Sequence, residues 1–252
     1  MVYIVGAGPG DPDLITVKGE QLLRNADVVI WAGSLVNPEI LKKTKRGCCV
    51  YDSAFMTLEE VLNVVKTAHA EGKTIVRLHT GDPAIYGAIK EQMDILDEWG
   101  IPYEIVPGVS SLFGAAAALK AEFTLPGVTQ SVIITRLSGK TPVPERERLA
   151  ELSRHGATMA IFLSVSMIGD VVKDLLQGGA YTEQTPAAVV YKATWSDELI
   201  LRGNLGNIAT LSASQNLKRT AIILVGEFLS AAYERSKLYD PAFSTMFRAS
   251  AE

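Results

Sequence analysis

The chain has 252 residues, of which 48% are hydrophobic and 21% are charged, and its formal net charge is −4 at pH 7. This composition is typical of a globular protein with one large or two small domains, and the acidic balance argues against a broad nucleic-acid-binding surface. No apolar run approaches the roughly 18 residues of a membrane span, and no basic segment precedes an apolar stretch as in a signal peptide. We therefore expect a cytoplasmic protein that binds neither membranes nor nucleic acid.

The opening stretch, VYIVGAGPGDPDLIT (residues 2–16), leads an apolar strand through a glycine-rich loop into a helix start. A dinucleotide-binding fingerprint requires G-x-G-x-x-G, because its third glycine lets the helix pack on the strand while a pyrophosphate lies at the helix N-terminus. Asp11 occupies the third position here, and Asp13 adds a second carboxylate where a phosphate needs bare amides. The next strand also lacks an acidic residue for the ribose. A nucleotide-binding oxidoreductase is therefore a distant alternative.

The first half of the chain alternates strand and helix patterns. Strands are predicted near VYIV, DVVIWA, TIVRLH and YEIV. A helix is predicted from about Leu58 to Ala70, with an apolar stripe formed by Leu58, Val61, Leu62, Val65 and Ala68. The same spacing recurs later at Ile85, Ile89, Met93 and Leu96. Alternation of this kind indicates an α/β fold.

A second series of strands follows the Pro-Gly turn in AEFTLPGVTQ (residues 121–130). These strands are predicted at SVIIT, TMAIFL, AAVVY, ELILRG and TAIILVG. Their close spacing, with a hairpin from Val189 to Leu201, indicates antiparallel pairs. We predict two α/β domains: residues 1–122, which carry the glycine-rich loop, and residues 123–252, which contain a mixed sheet.

Two junctions between strands and helices contain many small or special residues. In HTGDPAIYG (residues 79–87), Gly81 allows a close approach to the main chain, and Asp82 with Pro83 predicts a helix cap and first helical position. In IVPGVSSLFGAAAA (residues 105–118), Ser110 or Ser111 can cap an alanine-rich helix. Turn and cap chemistry alone can explain each junction. A ligand-binding loop is the alternative at both.

A third junction, AVVYKATWSDE (residues 188–198), ends an apolar strand at the small Ala193, between Lys192 and Thr194. Like the other two, it lies at the carboxyl end of a predicted strand. Ligands usually bind at that position in open α/β sheets.

Taken together, these segments resemble the tetrapyrrole methylase family, whose members transfer methyl groups from S-adenosyl-L-methionine. VGAGPGDPDLITVKG (residues 5–19) is similar to the first signature of the family, and RLHTGDPAIYG, VPGVSS, IFLS and YKATW follow in the family's order. The resemblance extends from about Val2 to Gly226. AGSLVNPE, ITRLSGKTPVPERE and VVYKATW resemble the branch that methylates precorrin-4 or cobalt-precorrin-4 at C-11 in cobalamin biosynthesis.

Other branches of the family are alternatives. The branch that methylates uroporphyrinogen III, in porphyrin biosynthesis, carries an acidic residue after the second strand, where this chain has Trp31, Ala32 and Gly33. Uroporphyrinogen III and other carbons of the corrin pathway are therefore alternative targets. A binding module that has lost turnover is a further alternative, disfavoured because Gly81, Ser110 and Ala193 remain small.

The resemblance implies a homodimer of two-domain subunits, in which the cofactor lies in a cleft between the domains and leaves as S-adenosyl-L-homocysteine. Residues that match the family's cofactor contacts are Pro9, Thr80, Gly81, Asp82, Ile85, Ser110, Ser111, Leu163, Ala193, Thr220 and Ala221. Gly8 and Gly10 would border the tetrapyrrole.

The resemblance also implies an acceptor with many carboxylates, so an acidic protein needs a local cationic surface. Arg136 and Lys140 are predicted to supply it, whereas Arg146 and Arg148 fit a solvated first helical turn better than a contact with the substrate. Methyl transfer from a sulfonium depends mainly on positioning, so we assign no catalytic residue. No metal site is expected, because the three histidines are scattered and the adjacent Cys48–Cys49 pair fits ordinary buried thiols.

Overall fold

Alternating strands and helices form two separate sheets in the computed structural model, which describes residues 1–230 and 232–250. One unit comprises Met1–Ala115 with Lys192–Glu198, and the other comprises Ala116–Tyr191 with Leu199–Glu252. Each unit contains a five-stranded sheet with helices, so the predicted α/β class is confirmed. The domain boundary between residues 122 and 123 stays a prediction.

The sheet of the first unit is entirely parallel, in the order β3-β2-β4-β1-β5. Its strands are β1 (Val2–Gly6), β2 (Val28–Trp31), β3 (Cys49–Asp52), β4 (Ile75–His79) and β5 (Tyr103–Val106). The helices along this part of the chain are α1 (Val17–Asn25), α2 (Leu58–Ala70), α3 (Lys90–Glu98) and α4 (Ser111–Leu119), of which α4 continues into the second unit. Because the strands are parallel, their carboxyl ends share one edge, where ligands usually bind.

The sheet of the second unit is mixed, in the order β6-β7-β10-β8-β9. Its strands are β6 (Val132–Arg136), β7 (Thr158–Phe162), β8 (Pro186–Tyr191), β9 (Leu199–Asn204) and β10 (Ala221–Val225), and its other helices are α5 (Leu149–Ser153), α6 (Ile168–Gln177) and α7 (Ile208–Ser214). β6 and β7 are parallel, and the remaining pairs are antiparallel. Val189 lies opposite Leu201, so the predicted hairpin is confirmed.

Helix α2 forms with the predicted bounds because its sequence contains both a cap and an apolar stripe. The Thr57 side chain accepts a hydrogen bond from Glu60 N, while the Glu60 carboxylate accepts one from Thr57 N. This reciprocal pair satisfies two amides that a helix start leaves without partners. Val61, Leu62 and Val65 are buried on the inner face, as the spacing predicted.

Helix α3 begins at Lys90, so the prediction that a helix starts at Pro83 is wrong. Tyr86 and Ala88 have φ values of +55° and +49°, in the left-handed region that a right-handed helix cannot contain. Asp82 instead closes a tight turn, because its Oδ1 accepts from Ala84 N at 2.8 Å. Residues 83–89 therefore form an irregular loop beside the edge formed by the strand ends.

Strand β3 was missed, because its four residues are mostly exposed at the edge of the sheet and show no clear alternation. Cys49 is exposed in this strand, so the prediction that both thiols are buried is wrong for Cys49. Cys48 is half-buried, and burial raises the pKa of its thiol. Within residues 1–230 and 232–250, no helix is both long enough and apolar enough to cross a membrane.

Candidate functional site

Three glycines bring the carboxyl ends of β1, β4 and β5 into close backbone contact. A Cβ atom on Gly6 would lie 2.6 Å from both Gly108 Cα and Gly81 O. A Cβ atom on Gly108 would lie 2.2 Å from Gly81 O and 2.7 Å from Gly6 Cα. These distances are far below van der Waals contact, so neither position can accept a side chain without moving the backbone. We call Gly6, Gly81 and Gly108 the glycine junction.

Hydrogen bonds connect the glycine-rich loop to the loop after β4. Gly81 N donates to Gly8 O at 2.9 Å, and Gly8 N donates to Gly81 O at 3.3 Å. Gly8 and Gly81 have φ values of +83° and +58°, which glycine adopts without strain. Ala7 N also donates to His79 O at 2.7 Å. The two loops that sequence analysis predicted to bind ligands are therefore held together by their main chains.

Asp82 links two of the strand ends. Its Oδ2 accepts a hydrogen bond from Gly108 N at 2.9 Å, while Oδ1 accepts from Ala84 N at 2.8 Å. The sequence predicted a helix cap at this position, and the structure corrects that role because no helix follows until Lys90. Both carboxylate oxygens therefore accept main-chain hydrogen bonds, one within the turn and one from the loop after β5.

The remaining predicted cofactor residues of the first unit lie around the same edge. Ser110 is 5% exposed, and its Oγ accepts from Leu112 N at 3.3 Å, so Ser110 is the residue that caps the alanine-rich helix while Ser111 begins it. Pro9 is buried, and a Cβ on Gly114 would lie 2.8 Å from Pro9 Cβ. Thr80 is half-buried and donates from Oγ1 to Leu35 O at 3.5 Å, whereas Ile85 is half-buried in the turn after Asp82.

The loop Lys192–Glu198 groups with the first unit, although sequence analysis assigned Ala193 to the second domain. Asp11 N donates to Thr194 Oγ1 at 2.9 Å. A Cβ on Gly10 would lie 2.0 Å from Trp195 Cδ1 and 2.7 Å from Ala193 O, so this loop approaches the glycine-rich loop closely. Ala193 itself is only 5% exposed. The sequence missed the roles of Thr194 and Trp195, since these contacts span more than 180 residues of chain.

Several predicted positions share an unusual backbone conformation. Leu163, directly after β7, has φ +54° and is 56% exposed, and Thr220, directly before β10, has φ +57°. Lys192 and Thr194, which flank Ala193, have φ values of +50° and +68°. Non-glycine residues in this region carry about 1–3 kcal/mol of strain each and concentrate at functional sites. Ala221 begins β10 in ordinary pairing with Tyr191.

The loop after β6, which was predicted to be cationic, is stabilised by hydrogen bonds from Arg136. Arg136 donates from Nη1 to Thr141 O and from Nη2 to Pro142 O, both at 2.9 Å. Lys140 is exposed on the same loop. Arg146 and Arg148 form surface ion pairs with Glu147 and Glu145. The structure therefore gives Arg136 a role in loop geometry, and contact of Arg136 or Lys140 with substrate stays a prediction.

Two buried polar residues of β4 were not singled out in the sequence. Arg77 is 8% exposed and His79 is 4% exposed, and both line a cavity of about 260 Å³ in the first unit. Burial lowers the pKa of His79 to about 3, with the nearby charge of Arg77 contributing, and burial lowers the pKa of Arg77 to about 10. At neutral pH the cavity therefore contains a charged guanidinium and a neutral imidazole.

We expect the free energy of unfolding to fall as the pH drops from 6.5 towards 3, in part because of His79. In this window the unfolded chain protonates the histidine at its ordinary pKa of 6.5, whereas the folded chain resists until about 3. The stabilisation is fully present above 6.5 and is lost on acidification, at a slope of up to about 1.4 kcal/mol per pH unit.

Urea unfolding across this pH range measures the effect. His79→Gln should show a shallower dependence of stability on pH than the parent protein, and His155→Gln, at an exposed histidine in a loop, is the matched control. Equal slopes for His79→Gln and the parent protein would contradict the assignment.

A dinucleotide site requires a glycine-rich loop that leads directly into a helix. The glycine-rich loop of this chain does not do so. Asp11 caps a short 3₁₀ turn, Pro12–Leu14, by accepting from Asp13 N at 2.9 Å. Helix α1 begins only at Val17, with Thr16 as its cap. The loop amides are thus separated from the helix N-terminus. In the part of the chain that the structure describes, no three His, Cys, Asp or Glu side chains are grouped as metal ligands.

These features define an α/β protein of two units, one of which brings glycine-rich loops together at the carboxyl edge of a parallel sheet. The sequence model of the tetrapyrrole (corrin/porphyrin) methylases matches residues 1–209. The chain therefore belongs to the tetrapyrrole methylase family, as the sequence motifs predicted.

Individual relatives refine this comparison. The chain is 57% identical over 250 residues to a cobalt-precorrin-4 C(11)-methyltransferase of Methanocaldococcus jannaschii, covering 99% of this chain and 96% of the relative. The crystal structure of a cobalt-precorrin-4 methyltransferase, described as a cobalamin biosynthetic enzyme, matches with a TM-score of 0.88 and 50% identity over 91% of this chain and 96% of that one.

A structure of uroporphyrin-III C-methyltransferase from Thermus thermophilus, complexed with S-adenosyl homocysteine, also matches. Its TM-score is 0.74, with 27% identity over 91% of this chain and 93% of that one. The similarity to the cobalt-precorrin-4 enzyme is therefore higher in both sequence and structure.

Proposed function

We propose that the protein transfers a methyl group from S-adenosyl-L-methionine to C-11 of cobalt-precorrin-4 or of precorrin-4, as a step in cobalamin biosynthesis. The observation that carries this proposal is the 57% identity, over nearly the whole chain, to a cobalt-precorrin-4 C(11)-methyltransferase. The lower identity of 27% to a uroporphyrin-III enzyme disfavours that acceptor.

The residues at the strand ends suit an adenosylmethionine ligand. A flat, extended ligand needs main-chain groups that it can approach closely, and the atoms nearest to a Cβ on Gly81 are main-chain atoms of Ser110 and Ser111, at 3.4 Å and beyond. We propose that Pro9, Thr80, Gly81, Asp82, Ile85, Ser110, Ser111 and Ala193 hold the cofactor. The corresponding proposal for Leu163, Thr220 and Ala221 in the second unit rests on their match to the family and on the strained backbone at Leu163 and Thr220.

When bound, the cofactor supplies an electrophilic methyl group on a sulfonium. The contribution of this chain is to position the donor methyl group and the acceptor carbon. Such positioning can lower the activation barrier by several kcal/mol. Asp82 connects the loops after β4 and β5 through the hydrogen bond from Gly108 N, while the bond from Ala84 N closes its own turn. We assign no general base. Gly8 and Gly10, with Arg136 and Lys140, are proposed to face the acceptor.

Methyl transfer is tested by incubating the purified protein with labelled adenosylmethionine and either precorrin-4 or cobalt-precorrin-4. We expect the new methyl group at C-11 by NMR, and faster transfer to one acceptor tells whether cobalt insertion precedes this step. Transfer to another carbon, or transfer only to uroporphyrinogen III, contradicts the proposed acceptor.

Cofactor choice is tested by calorimetry without any acceptor. We expect micromolar binding of S-adenosyl-L-homocysteine, about −8 kcal/mol, and no binding of NAD. Tight NAD binding with no response to the homocysteine product would contradict the methylase proposal. The homodimer implied by the family resemblance is likewise a proposal, which analytical ultracentrifugation measures directly.

A further inference from the structure

The cavity of about 260 Å³ in the first unit has polar groups that the proposed positioning of donor and acceptor does not use. It lies beside the carboxyl ends of β2 and β4 and the N-terminal parts of α2 and α3. Its lining includes Arg77, His79, Gln92, Leu35, Met56 and Glu91. Since one water occupies about 30 Å³ of liquid, this space can hold a short side arm of a larger ligand.

The guanidinium of Arg77 is buried without a counter-ion. Its Nε donates to Gln92 Oε1 at 3.1 Å, and its Nη1 donates to Ile30 O at 3.2 Å. Within residues 1–230 and 232–250, no carboxylate forms an ion pair with Arg77, and its Nη2 has no hydrogen-bond acceptor. A charged side chain is rarely buried unless it is paired, because removal from water is costly. The Nη2 group of Arg77 therefore has no acceptor within the described chain and retains access to solvent.

His79 adds a second unsatisfied group to the same lining. The side chain is 4% exposed, and its Nε2 has no hydrogen-bond partner among the residues that the structure describes. The large majority of buried side-chain polar atoms have such a partner, so each exception requires an explanation. An oxyanion in the cavity would give Arg77 a counter-ion and would lie near the imidazole of His79, which lines the same space.

Other groups around the cavity are compatible with an anion. Gln92 Nε2 donates to Ala88 O at 2.9 Å, so its amide is oriented with Oε1 towards Arg77. Glu91 is the one acidic residue of the lining within the described chain, and its side chain is exposed in the first turn of α3. The buried part of the cavity therefore carries the positive charge, and the carboxylate of Glu91 is solvated.

We propose that this cavity binds a carboxylate group of a small-molecule ligand, with Arg77 as its principal partner. The proposal rests on the proposed function, in which two ligands carry carboxylates: the acid side arms of the tetrapyrrole and the methionine part of the cofactor. A carboxylate that accepts from Nη2 and from the second N–H of Nη1 would form a bidentate contact that fixes the orientation of the ligand.

The carboxylate site is tested on the intact protein with propanoate, which is not a substrate of methyl transfer. NMR signals of the Arg77 Nε–H group and the His79 ring are expected to shift in a saturable way, and propanamide at the same concentrations should cause no such shift. Surface variant Arg24→Gln, which removes an arginine paired with Glu20, should respond like the parent. Absence of saturable shifts at both residues overturns the proposal, whether or not the protein transfers methyl groups.

The source of the carboxylate is tested with Arg77→Lys. This substitution keeps the positive charge but removes the planar guanidinium that can bind a carboxylate through two N–H groups. If the tetrapyrrole supplies it, the KM for the acceptor rises about tenfold or more while the Kd of S-adenosyl-L-homocysteine is unchanged. If the cofactor supplies it, that Kd weakens about tenfold while binding of 5′-methylthioadenosine, which lacks the carboxylate, is unchanged. If neither constant changes in a folded Arg77→Lys protein, the proposal is wrong. If the Arg77→Lys variant does not fold, the propanoate titration of the parent protein decides whether the cavity binds a carboxylate.

Discussion

Gly108→Ala is expected to destabilise the protein by about 3 kcal/mol, at the upper end of the usual cost of overpacking. The new Cβ would lie 2.2 Å from Gly81 O and 2.7 Å from Gly6 Cα, and both atoms belong to the backbone. No side-chain rotation can relieve such contacts, so β1, β4 and β5 must separate at their carboxyl ends. The melting temperature should fall by about 6–12 °C, at 2–4 °C per kcal/mol for a chain of this size.

The same substitution should weaken binding of S-adenosyl-L-homocysteine by at least tenfold in calorimetry, because the separated loops carry Gly81 and Ser110. The matched control is Gly169→Ala in helix α6, where an added Cβ meets no atom within 4 Å. Alanine there should stabilise the helix by about 0.5–1 kcal/mol and leave binding unchanged. A Gly108→Ala protein with parental melting temperature and affinity would show that the glycine junction tolerates a side chain.

Elements that depend on local pattern were predicted well from the sequence. Nine of the ten strands within residues 1–230 and 232–250 coincide with predicted apolar runs, because these strands are rich in apolar residues, chiefly Val and Ile. Helix α2 combines an apolar stripe with a capping box, so two independent signals agreed on its bounds. The antiparallel hairpin of β8 and β9 followed from the short spacing of two strand patterns.

The start of helix α3 could not be predicted, because Asp82 and Pro83 have the residue types of a helix start whether or not a helix follows. The Asp82 carboxylate instead accepts a hydrogen bond from Gly108 N, 26 residues away, which no local pattern contains. The contacts of Gly10 with the loop at Ala193 and Trp195 are equally remote in sequence. Long-range contacts of this kind override local propensity in these loops.

The cavity residues did leave a signal in the sequence. Arg77 and His79 stand two residues apart in IVRLH, and alternate residues of a strand point to the same face. Two titratable side chains on one face of an otherwise apolar, central strand indicate a polar surface beneath or beside the sheet. Their separation from any carboxylate is a property of the folded unit, and the sequence alone does not predict it.

Asp82→Asn is expected to lower both stability and cofactor affinity, although a helix-cap hypothesis predicts that asparagine preserves stability. Both oxygens of Asp82 accept main-chain hydrogen bonds, from Ala84 N at 2.8 Å and from Gly108 N at 2.9 Å. An asparagine has one acceptor oxygen, so its NH₂ group must face one of these N–H donors. Loss of a hydrogen bond to a charged group costs about 1.5–3 kcal/mol, and Asp82→Ala, which loses both bonds, should be less stable still.

Thermal melting and calorimetry with S-adenosyl-L-homocysteine should therefore rank the proteins in one order: parent, then Asp82→Asn, then Asp82→Ala. A drop of about 3–12 °C is expected for the asparagine variant, from that range of cost and the dependence of melting temperature on stability. Asp94→Asn is the matched control, because Asp94 is exposed and forms an ion pair with Lys90 on the surface of α3. Parental melting and affinity in Asp82→Asn would mean that one oxygen suffices. The link between the loops after β4 and β5 would then not depend on the carboxylate, and Asp82 would leave the set of proposed cofactor residues.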